Sequence, residues 1–551
     1  MFVVKDFDFK TDQYGTDDYL NNWPMLYILE NGKEAYVGQT NSINKRMSQH
    51  KQSESKKQFT KAHFIYYEKS NQSVTFDYES QLISLMHADN KFVLTNLNAG
   101  LAGCDYYNKD DYEVDFKNLW RTLQERGLVD KTIEELQQSD LFKYSPFKQL
   151  TNEQRNLVTE IVESLKRSLD RKIIVEGMPG SGKTILAIYL FKLLRESPDF
   201  SNNSALVVPP TSLRKTLKNV FKTINGLSEK DVIGPNEVAN KKYDILLVDE
   251  SHRLKMRKNL PSYSSYDDVC DKLGLPNTST QMEWILKQSK CAIFFYDKNQ
   301  IIFPQGLEIH KLINQDITDK RMFASYTLYS QMRCMGGIEY LADLDKLLHN
   351  QLQHKLSYND YDLFVVDDFK TFNDLCMAKE KEKKLSRMIA GYAWEWISKE
   401  DKSKYDIQID GIKKQWNSTT ENWVNTENAI NEVGCIHSVQ GYDLNYGFLI
   451  IGNDLKYDPI KKKIIINKDS YFDKYGKNNT TPETLEEYIK NIYYVLMTRG
   501  ILGTYLYVCD EELKKYLKNF IMTYHKYTSY DDIDNNQLNL MVAEKTPKYG
   551  E

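Results

Sequence analysis

The amino-acid sequence predicts an α/β protein in which a small N-terminal α/β domain precedes two larger lobes built on parallel sheets. Its 551 residues exceed what one hydrophobic core can serve. From residue 147 onward, strand-length apolar runs recur between longer helical patterns, which is typical of buried parallel strands. The predicted division is a small domain, a helical connector, a first lobe, a second lobe and a polar tail, at residues 1–103, 104–146, 147–320, 321–540 and 541–551.

The composition is that of a globular protein without a membrane segment. Hydrophobic residues make up 41% of the chain and charged residues 27%, and no apolar stretch approaches the roughly eighteen residues of a membrane span. The N-terminus carries no basic segment followed by an apolar run, so we expect a cytoplasmic protein. The net charge of -4 argues against coating of nucleic acid by global attraction, and any such site must be a local basic patch.

The seven cysteines are scattered singly, without CxxC pairs. This pattern favours neither structural zinc nor a disulfide framework.

The small domain opens with a predicted β-hairpin at residues 23–38, WPMLYILENGKEAYVG. Asn31-Gly32 supplies the positive φ that a tight hairpin turn requires. A helical pattern, a strand-like run and a second helical pattern follow, so a compact α/β unit is expected to end near Gly103. The connector contains two polar, partly acidic helical patterns, one ending at Gly127, and no candidate chemistry.

A phosphate-binding loop follows the apolar strand KIIVE and opens a helix. Its residues are Gly177, Met178, Pro179, Gly180, Ser181, Gly182, Lys183 and Thr184. Glycines let backbone N–H groups wrap phosphates at a helix N-terminus, Lys183 neutralises the β and γ oxygens, and the Thr184 hydroxyl is a ligand for magnesium. The pattern in this context predicts an ATP site with Mg²⁺.

A second apolar strand, DILLVDE, ends in Asp249 and Glu250. One carboxylate is expected to face magnesium and the other to activate the attacking water. Acidic pairs at strand ends are often only solvated, but the preceding P-loop favours the catalytic interpretation.

From residue 150 to 505 the chain resembles the superfamily 1 helicases, and more narrowly the helicase-like domain of long Schlafen proteins. The matching residues are Gln154 (Q motif), Thr211 (motif Ia), Asp297 and Gln300 (motif III), Arg333 (motif IV), His437, Gln440, Gly441 and Asp443 (motif V) and Arg499 (motif VI). The resemblance implies two RecA-like lobes with ATP between them.

The resemblance also implies roles for these residues. Gln154 is expected to contact adenine, and Gln300, Gly441 and Asp443 to lie in the nucleotide site, although Asp443 stands where many members have Glu. Arg333 and Arg499 are expected to reach the γ-phosphate from the second lobe. Thr211, His437 and Gln440 are implied to contact nucleic acid.

The small domain resembles the GIY-YIG nucleases. The signature residues are Met25-Leu26-Tyr27, Tyr36-Val37-Gly38, Arg46, His50, Glu79 and Asn96, with Met25-Leu26 replacing Gly-Ile and Val37 replacing Ile.

By this resemblance Glu79 holds Mg²⁺, and Tyr27 or Tyr36 helps to deprotonate or orient water. Arg46 stabilises the phosphorane-like state, and His50 protonates the leaving oxygen or contacts phosphate. Asn96 is expected to be a hydrogen-bonding support. Taken singly, each of these side chains has an ordinary structural explanation; their ordered series favours the nuclease.

Basic residues concentrate next to this predicted site. Residues 41–70 carry Lys45, Arg46, Lys51, Lys56, Lys57, Lys61 and Lys69 against Glu54 and Glu68. A solvated face is the usual explanation of such a run, but beside a phosphate-cutting site a backbone-binding patch is favoured. Lys45, Lys51 and Lys57 are the candidate nucleic-acid contacts.

The sequence therefore predicts an ATP- and Mg²⁺-dependent nucleic-acid endonuclease with a superfamily 1 motor, with DNA favoured over RNA as substrate. Nuclease-motor fusions of this kind suggest defence against phage or foreign DNA, with a homo-oligomer or a defence-system partner as further expectations. One alternative is an ATP-gated module that senses nucleic acid or a partner without translocating. Another is a helicase whose nuclease domain is catalytically inert.

Overall fold

The computed structural model describes residues 2–11, 14, 22–96, 106–147, 150–200, 203–260, 262–304, 306–307, 309, 323–331, 333–419, 423–439, 442–478 and 480–525. The chain divides into two compact units. Unit 1 comprises Met1–Arg333 and Lys474–Asn491, and unit 2 comprises Cys334–Asp473 and the chain from Ile492 onward. Within the described ranges, no helix is both long and apolar enough to cross a membrane. The predicted polar tail at 541–551 lies outside the described residues.

The N-terminal domain of unit 1 is a mixed sheet with two long helices. Its strands are β1 Phe2–Asp8, β2 Met25–Glu30, β3 Glu34–Thr40, β4 Lys61–Tyr67 and β5 Val93–Leu94, and its helices are α1 Ile43–Gln52 and α2 Gln72–Asp89. In the described part of this domain the strand order is β1-β4-β2-β3-β5. The predicted hairpin is β2 and β3, which pair antiparallel around Gly32 at φ 83°.

Three further helices complete the core of this domain: α3 Lys109–Glu125, α4 Ile133–Gln138 and α5 Asp140–Lys143. Phe116, Leu119 and Trp120 of α3 are buried in the same hydrophobic cluster as Leu82 of α2. The interpretation of 104–146 as a polar connector was therefore wrong. In this segment, apolar side chains are interspersed with charged ones along the sequence. Helical periodicity gathers the apolar side chains on one face, which covers the sheet of the N-terminal domain.

The rest of unit 1 is a parallel sheet flanked by helices. Its strands are β6 Lys172–Gly177, β7 Ser204–Val207, β8 Val232–Ile233, β9 Tyr243–Val248, β10 Ser289–Tyr296 and β11 Phe323–Leu328. Its helices are α6 Asn152–Arg167, α7 Lys183–Glu196, α8 Thr211–Lys222, α9 Ser264–Leu273 and α10 Gln281–Gln288. Among the described residues the strand order is β11-β6-β10-β9-β7-β8, and every pairing is parallel.

Strand β11 corrects the predicted boundary at residue 320. It pairs with β6, with Phe323 opposite Lys172, so the first sheet extends beyond that boundary. The apolar alternation of β11 is weak, because an edge strand has fewer buried positions.

Unit 2 is a second parallel sheet with strands β12 Asp362–Val365, β13 Ser386–Ala390, β16 Val433–Cys435, β17 Leu444–Ile451 and β20 Gly500–Val508. Its described strands follow the order β12-β20-β17-β13-β16. Two hairpins accompany it, β14 Ile407–Ile409 with β15 Ile412–Lys414 and β18 Leu455–Asp458 with β19 Lys463–Ile466. The predicted α/β fold with two parallel-sheet lobes is confirmed.

The remaining helices are α11 Gly337–Leu348, α12 Phe369–Lys383, α13 Ile436–Val439, α14 Lys474–Lys477, α15 Pro482–Met497 and α16 Glu511–Lys518. Helix α14 belongs to unit 1, and α15 contributes residues to both units.

Candidate nuclease and nucleotide sites

Tyr27 lies at the centre of a buried polar cluster in the N-terminal domain. It is 0% exposed, and β2 places it opposite Gly38 of β3. Its hydroxyl lies 2.7 Å from Nε2 of His50 and accepts a hydrogen bond from Nε of Arg46 at 3.2 Å. A Cβ at position 38 would lie 2.3 Å from the Tyr27 hydroxyl oxygen. Glycine at position 38 is therefore needed for the tyrosine to reach its partners.

His50 is held in its neutral form in this cluster. Burial and, to a smaller extent, the positive charges of Arg46 and Lys56 together lower the pKa of His50 to about 4. Arg46 donates to the Tyr27 hydroxyl, and Nε2 of His50 shares a second hydrogen bond with the same oxygen. This contact positions His50 and Tyr27 relative to each other. The role of His50 in protonating the leaving oxygen or contacting phosphate stays a prediction.

Glu79 projects from α2 toward the same group of side chains. Burial raises the pKa of Glu79 to about 7, while the charge of Arg46 and a backbone hydrogen bond from Gln39 oppose the rise. Burial also raises the pKa values of Tyr27 and Tyr36, so both phenols are protonated at neutral pH. The two tyrosines are therefore suited to orienting water by hydrogen bonds.

Asn96 has a supporting role. The Val37 N–H donates to its Oδ1 at 3.0 Å, and its Nδ2 donates to the Val37 carbonyl at 2.8 Å. The side chain thus continues the strand pairing of β3 beyond β5. It holds the segment that carries Tyr36 and Gly38.

The predicted nucleic-acid contacts of unit 1 differ in exposure. Lys45 is exposed, Lys51 is half-buried, and Lys57 is exposed and forms an ion pair with Glu54. Thr211 is exposed at the first position of α8. Their contact with nucleic acid stays a prediction.

Lys56 is a site residue that the sequence did not single out. Its Nζ lies 3.3 Å from the centroid of the Tyr36 ring, within cation–π range. In the sequence, only its place in the basic run of residues 41–70 indicated Lys56. That run did not distinguish Lys56 from its exposed neighbours.

In the P-loop lobe, Lys183 is hydrogen-bonded to the backbone of its own loop. Its Nζ donates to the carbonyls of Gly177 at 2.7 Å and Met178 at 2.9 Å, and lies 3.2 Å from Oδ2 of Asp297. Gly180 and Gly182 have φ values of 84° and 79°, in the left-handed region that glycine permits.

Neighbouring backbone and side chains support the loop. Ser181 is buried, and a Cβ at Gly177 would lie 2.4 Å from its Oγ. The Pro179 carbonyl accepts a hydrogen bond from Nε2 of Gln331. The loop is therefore preshaped for phosphate before any ligand binds.

Asp249 and Glu250 follow β9 at the edge of the sheet. Asp249 is 1% exposed; burial raises its pKa, the charge of Glu250 adds to the rise, and a hydrogen bond with Thr184 opposes it. Carboxylate and hydroxyl oxygens are the ligands that Mg²⁺ prefers, so Asp249 and Thr184 fit this ion. In the described ranges no three His, Cys, Asp or Glu side chains form a metal-holding group, so any ion here would take its other ligands from substrate and water.

Glu250 has a strained backbone, with φ 49° and ψ 42°. The fully buried ring of His252 places Nε2 2.9 Å from Oε2 of Glu250. Sequence reasoning missed His252, although its position two residues after Glu250 was a usable signal. It orients the carboxylate predicted to activate water.

Both polar atoms of the Gln154 side-chain amide are hydrogen-bonded to backbone groups. Its Nε2 donates to the Ser181 carbonyl at 2.9 Å, and its Oε1 accepts from the Thr151 N–H at 3.1 Å. These bonds connect Gln154 to the P-loop, and its contact with adenine stays a prediction. The adjacent Glu153 accepts hydrogen bonds from the N–H groups of Tyr329 at 2.7 Å and Ser330 at 3.0 Å.

Gln300 and Arg333 lie close to the P-loop. Nε2 of Gln300 donates to Oδ2 of Asp297 at 2.7 Å, so Gln300 reaches Lys183 through that carboxylate. Arg333 belongs to unit 1, and its Cβ is 2.8 Å from where a Cβ of Gly180 would lie. The expectation that Arg333 reaches the nucleotide from the second lobe is corrected, because β11 carries it from the first sheet.

The other motor residues lie in unit 2. Arg499 is 1% exposed, and its Nε donates to the Val495 carbonyl at 3.0 Å. The His437 ring lies 5.5 Å from the Tyr392 ring, and Asp443 is half-buried. Their contacts with nucleotide or nucleic acid stay predictions. Outside the described residues lie Gln440 and Gly441.

The two sites lie in an N-terminal α/β domain and in a P-loop lobe, and both match known domain families. The family model of the Schlafen group 3, DNA/RNA helicase domain matches residues 170–510, and that of the GIY-YIG catalytic domain matches residues 24–92. The chain belongs to the Schlafen group 3 helicase family and carries a GIY-YIG domain at its N-terminus. The predicted fusion is confirmed.

Similar proteins come from fungi, bacteria and viruses. The uncharacterized protein YPL245W of Saccharomyces cerevisiae is 22% identical over 426 residues, covering 67% of this chain and 90% of that protein. Pif1 helicase from Bacteroides, with ADP-AlF3 and ssDNA, is 15% identical with a TM-score of 0.30, covering 73% of this chain and 100% of that one. Arterivirus nonstructural protein 10, a helicase, is 16% identical with a TM-score of 0.29, and the match covers 63% of this chain and 62% of that protein.

Proposed function

We propose that this protein is a nucleic-acid endonuclease that depends on Mg²⁺ and ATP, with DNA as the favoured substrate. The observation that carries the proposal is the buried cluster in which Arg46 and His50 hold the hydroxyl of Tyr27, with Glu79 directed toward the same place. Polar groups of this kind are costly to bury, and hydrophobic packing alone does not account for them. It is suited to cutting a phosphodiester.

In the nuclease site each side chain has a separate task. A magnesium ion held by Glu79 would supply a Lewis acid for the phosphate and a more acidic water. Arg46 stabilises negative charge on the phosphate, and Tyr27 and Tyr36 orient the attacking water through their hydroxyls. His50 keeps Tyr27 in position through the hydrogen bond between its Nε2 and the Tyr27 hydroxyl.

In the motor, ATP phosphates would take the place of the backbone carbonyls that now bind Lys183. Asp249 and Thr184 would hold the accompanying Mg²⁺, which neutralises phosphate charge. Glu250, oriented by His252, positions the attacking water. When Lys183 exchanges these carbonyls for phosphate oxygens, its contact with Asp297 of motif III connects nucleotide binding to that motif.

The nuclease domain is firmly attached to the P-loop lobe, which supports joint action on one strand. Leu141 of α5 packs against both hydrophobic clusters, and Nε2 of His87 in α2 lies 3.4 Å from the Thr223 hydroxyl at the end of α8. This attachment favours a motor that delivers nucleic acid to the cutting site. Defence against phage or foreign DNA, as a homo-oligomer or with a defence-system partner, is the biological role that suits this fusion.

The test is cleavage of labelled single- and double-stranded DNA and RNA by the full chain, with Mg²⁺ or EDTA and with or without ATP. Glu79→Ala should abolish cleavage and spare ATP hydrolysis, and Lys183→Ala should abolish ATP hydrolysis. Unchanged activity of Glu79→Ala would show that the nuclease domain is inert. An ATPase rate that saturates with a short oligonucleotide, instead of rising with strand length, would favour a sensing module.

A further inference from the structure

Lys56 is placed over a candidate catalytic ring. It ends a short helix, Glu54–Lys56, that follows α1. Its Nζ lies 3.3 Å from the centroid of Tyr36 and 5.7 Å from that of Phe59. The aromatic faces hold the ammonium beside the cutting site, although the side chain remains partly exposed.

The charges around Lys56 are unbalanced. Arg46 of α1 repels it, and His50 of α1 is neutral. Among the ion pairs of the described residues Lys56 has no carboxylate partner, whereas its neighbour Lys57 pairs with Glu54.

The other titratable groups of the site are Tyr27, Tyr36 and Glu79, which come from β2, β3 and α2. Burial and the charge of Arg46 lower the pKa of Lys56 to about 8. Two cations held close together repel each other until an anion lies between them.

We propose that Lys56 and Arg46 together bind a phosphate of the substrate strand across the face of Tyr36, which makes Lys56 a catalytic residue of the nuclease. This inference rests on the proposed nuclease function. Lys56 forms no covalent bond in the reaction; its ammonium offsets the charge that grows on the phosphate oxygens. Lys57, one residue away, is ion-paired with Glu54 and is not part of this phosphate-binding pair.

The first test measures phosphate contact without cleavage. Full-length Glu79→Ala in EDTA, without ATP, is acylated at lysines with and without a saturating short DNA strand, and each lysine is followed by mass spectrometry. The acylation rate of Lys56 should fall about tenfold at a site nine parts in ten occupied, while that of Lys117, an exposed lysine of α3 outside the basic run, changes little. Equal rates for Lys56 with and without DNA, or equal protection of Lys117, would overturn the proposal.

The second test is kinetic. Lys56→Met keeps the side chain over Tyr36 and removes the charge. Lys117→Met, at an exposed lysine of α3 outside the basic run, is the control. We expect kcat/KM for cleavage to fall about 100-fold in Lys56→Met, and its salt dependence to lose about one phosphate contact. Cleavage by Lys117→Met should stay close to wild type. Equal losses in the two variants would refute a specific role of Lys56.

Lys56→Arg separates charge from packing. In the wild type, kcat/KM should decline above pH about 8, where Lys56 loses its proton. Arginine stays protonated, so the variant should keep its activity at higher pH. An identical alkaline decline would contradict the proposal. If the wild type cleaves no substrate, the proposed function fails, and the acylation experiment alone decides whether Lys56 binds phosphate.

Discussion

Gly38→Ala is expected to disable the nuclease by moving Tyr27. The new Cβ would lie 2.3 Å from Oη, 2.4 Å from Cζ and 2.9 Å from Cε1 of Tyr27. Carbon contacts become favourable only near about 3.5 Å, so the ring must move by roughly 1 Å. Tyr27 is 0% exposed in a close-packed cluster with Phe59 and Phe64, and it has no free space in which to move.

The displacement has two measurable consequences. Overpacking of this kind costs about 1–3 kcal/mol of unfolding free energy. It also breaks the hydroxyl's contacts with His50 at 2.7 Å and Arg46 at 3.2 Å. A misplacement of about 1 Å in a catalytic group costs on the order of 100-fold in rate.

The assay is single-turnover cleavage of labelled DNA, with ATP hydrolysis measured on the same preparation. Gly447→Ala is the matched control, because a Cβ there meets nothing closer than 3.6 Å. Gly38→Ala should lose cleavage and retain ATPase activity, whereas Gly447→Ala should retain both. Cleavage by Gly38→Ala within about twofold of wild type would refute the close-approach argument.

Three further substitutions test other parts of unit 1. Asn96→Ala leaves the Val37 backbone groups without partners and should lower the free energy of unfolding by about 1–3 kcal/mol; an unchanged denaturant midpoint would contradict this. Asp297→Ala removes the buried partner of Lys183 and should lower the free energy of unfolding by about 3–5 kcal/mol. ATP should then raise the melting temperature of the variant more than that of wild type. Equal shifts in melting temperature would count against the ion pair. Burial lowers the pKa of His87 to about 4. As pH falls below about 6.5, the unfolded chain therefore takes up a proton before the folded chain does. Up to about 3 kcal/mol of the free energy of unfolding is lost by pH 4. His87→Gln should flatten that acid decline in urea unfolding, and an unaltered decline would assign it to other groups.

Local sequence predicted the features that depend on local backbone geometry. The turn at Gly32 and the phosphate loop at Gly180 need positive φ, and both have it. The hairpin register places Tyr27 opposite Gly38, and one helical turn separates Arg46 from His50, as the local pattern predicts.

Features that depend on contacts distant in sequence were not predicted. The apolar residues of α3 lie in a charged segment, so their burial against α2 became visible only when the sheet and helices were assembled. In the same way, the engagement of Gln154 by Ser181 joins groups 27 positions apart.

The amino-acid sequence by itself determined the class of the protein and named the candidate residues of its two sites, because motifs with set spacing impose their own turn and helix geometry. Only the tertiary structure decided the burial of His50, the unit to which Arg333 belongs and the position of Lys56 over Tyr36. All three are produced by packing between segments that are far apart along the chain.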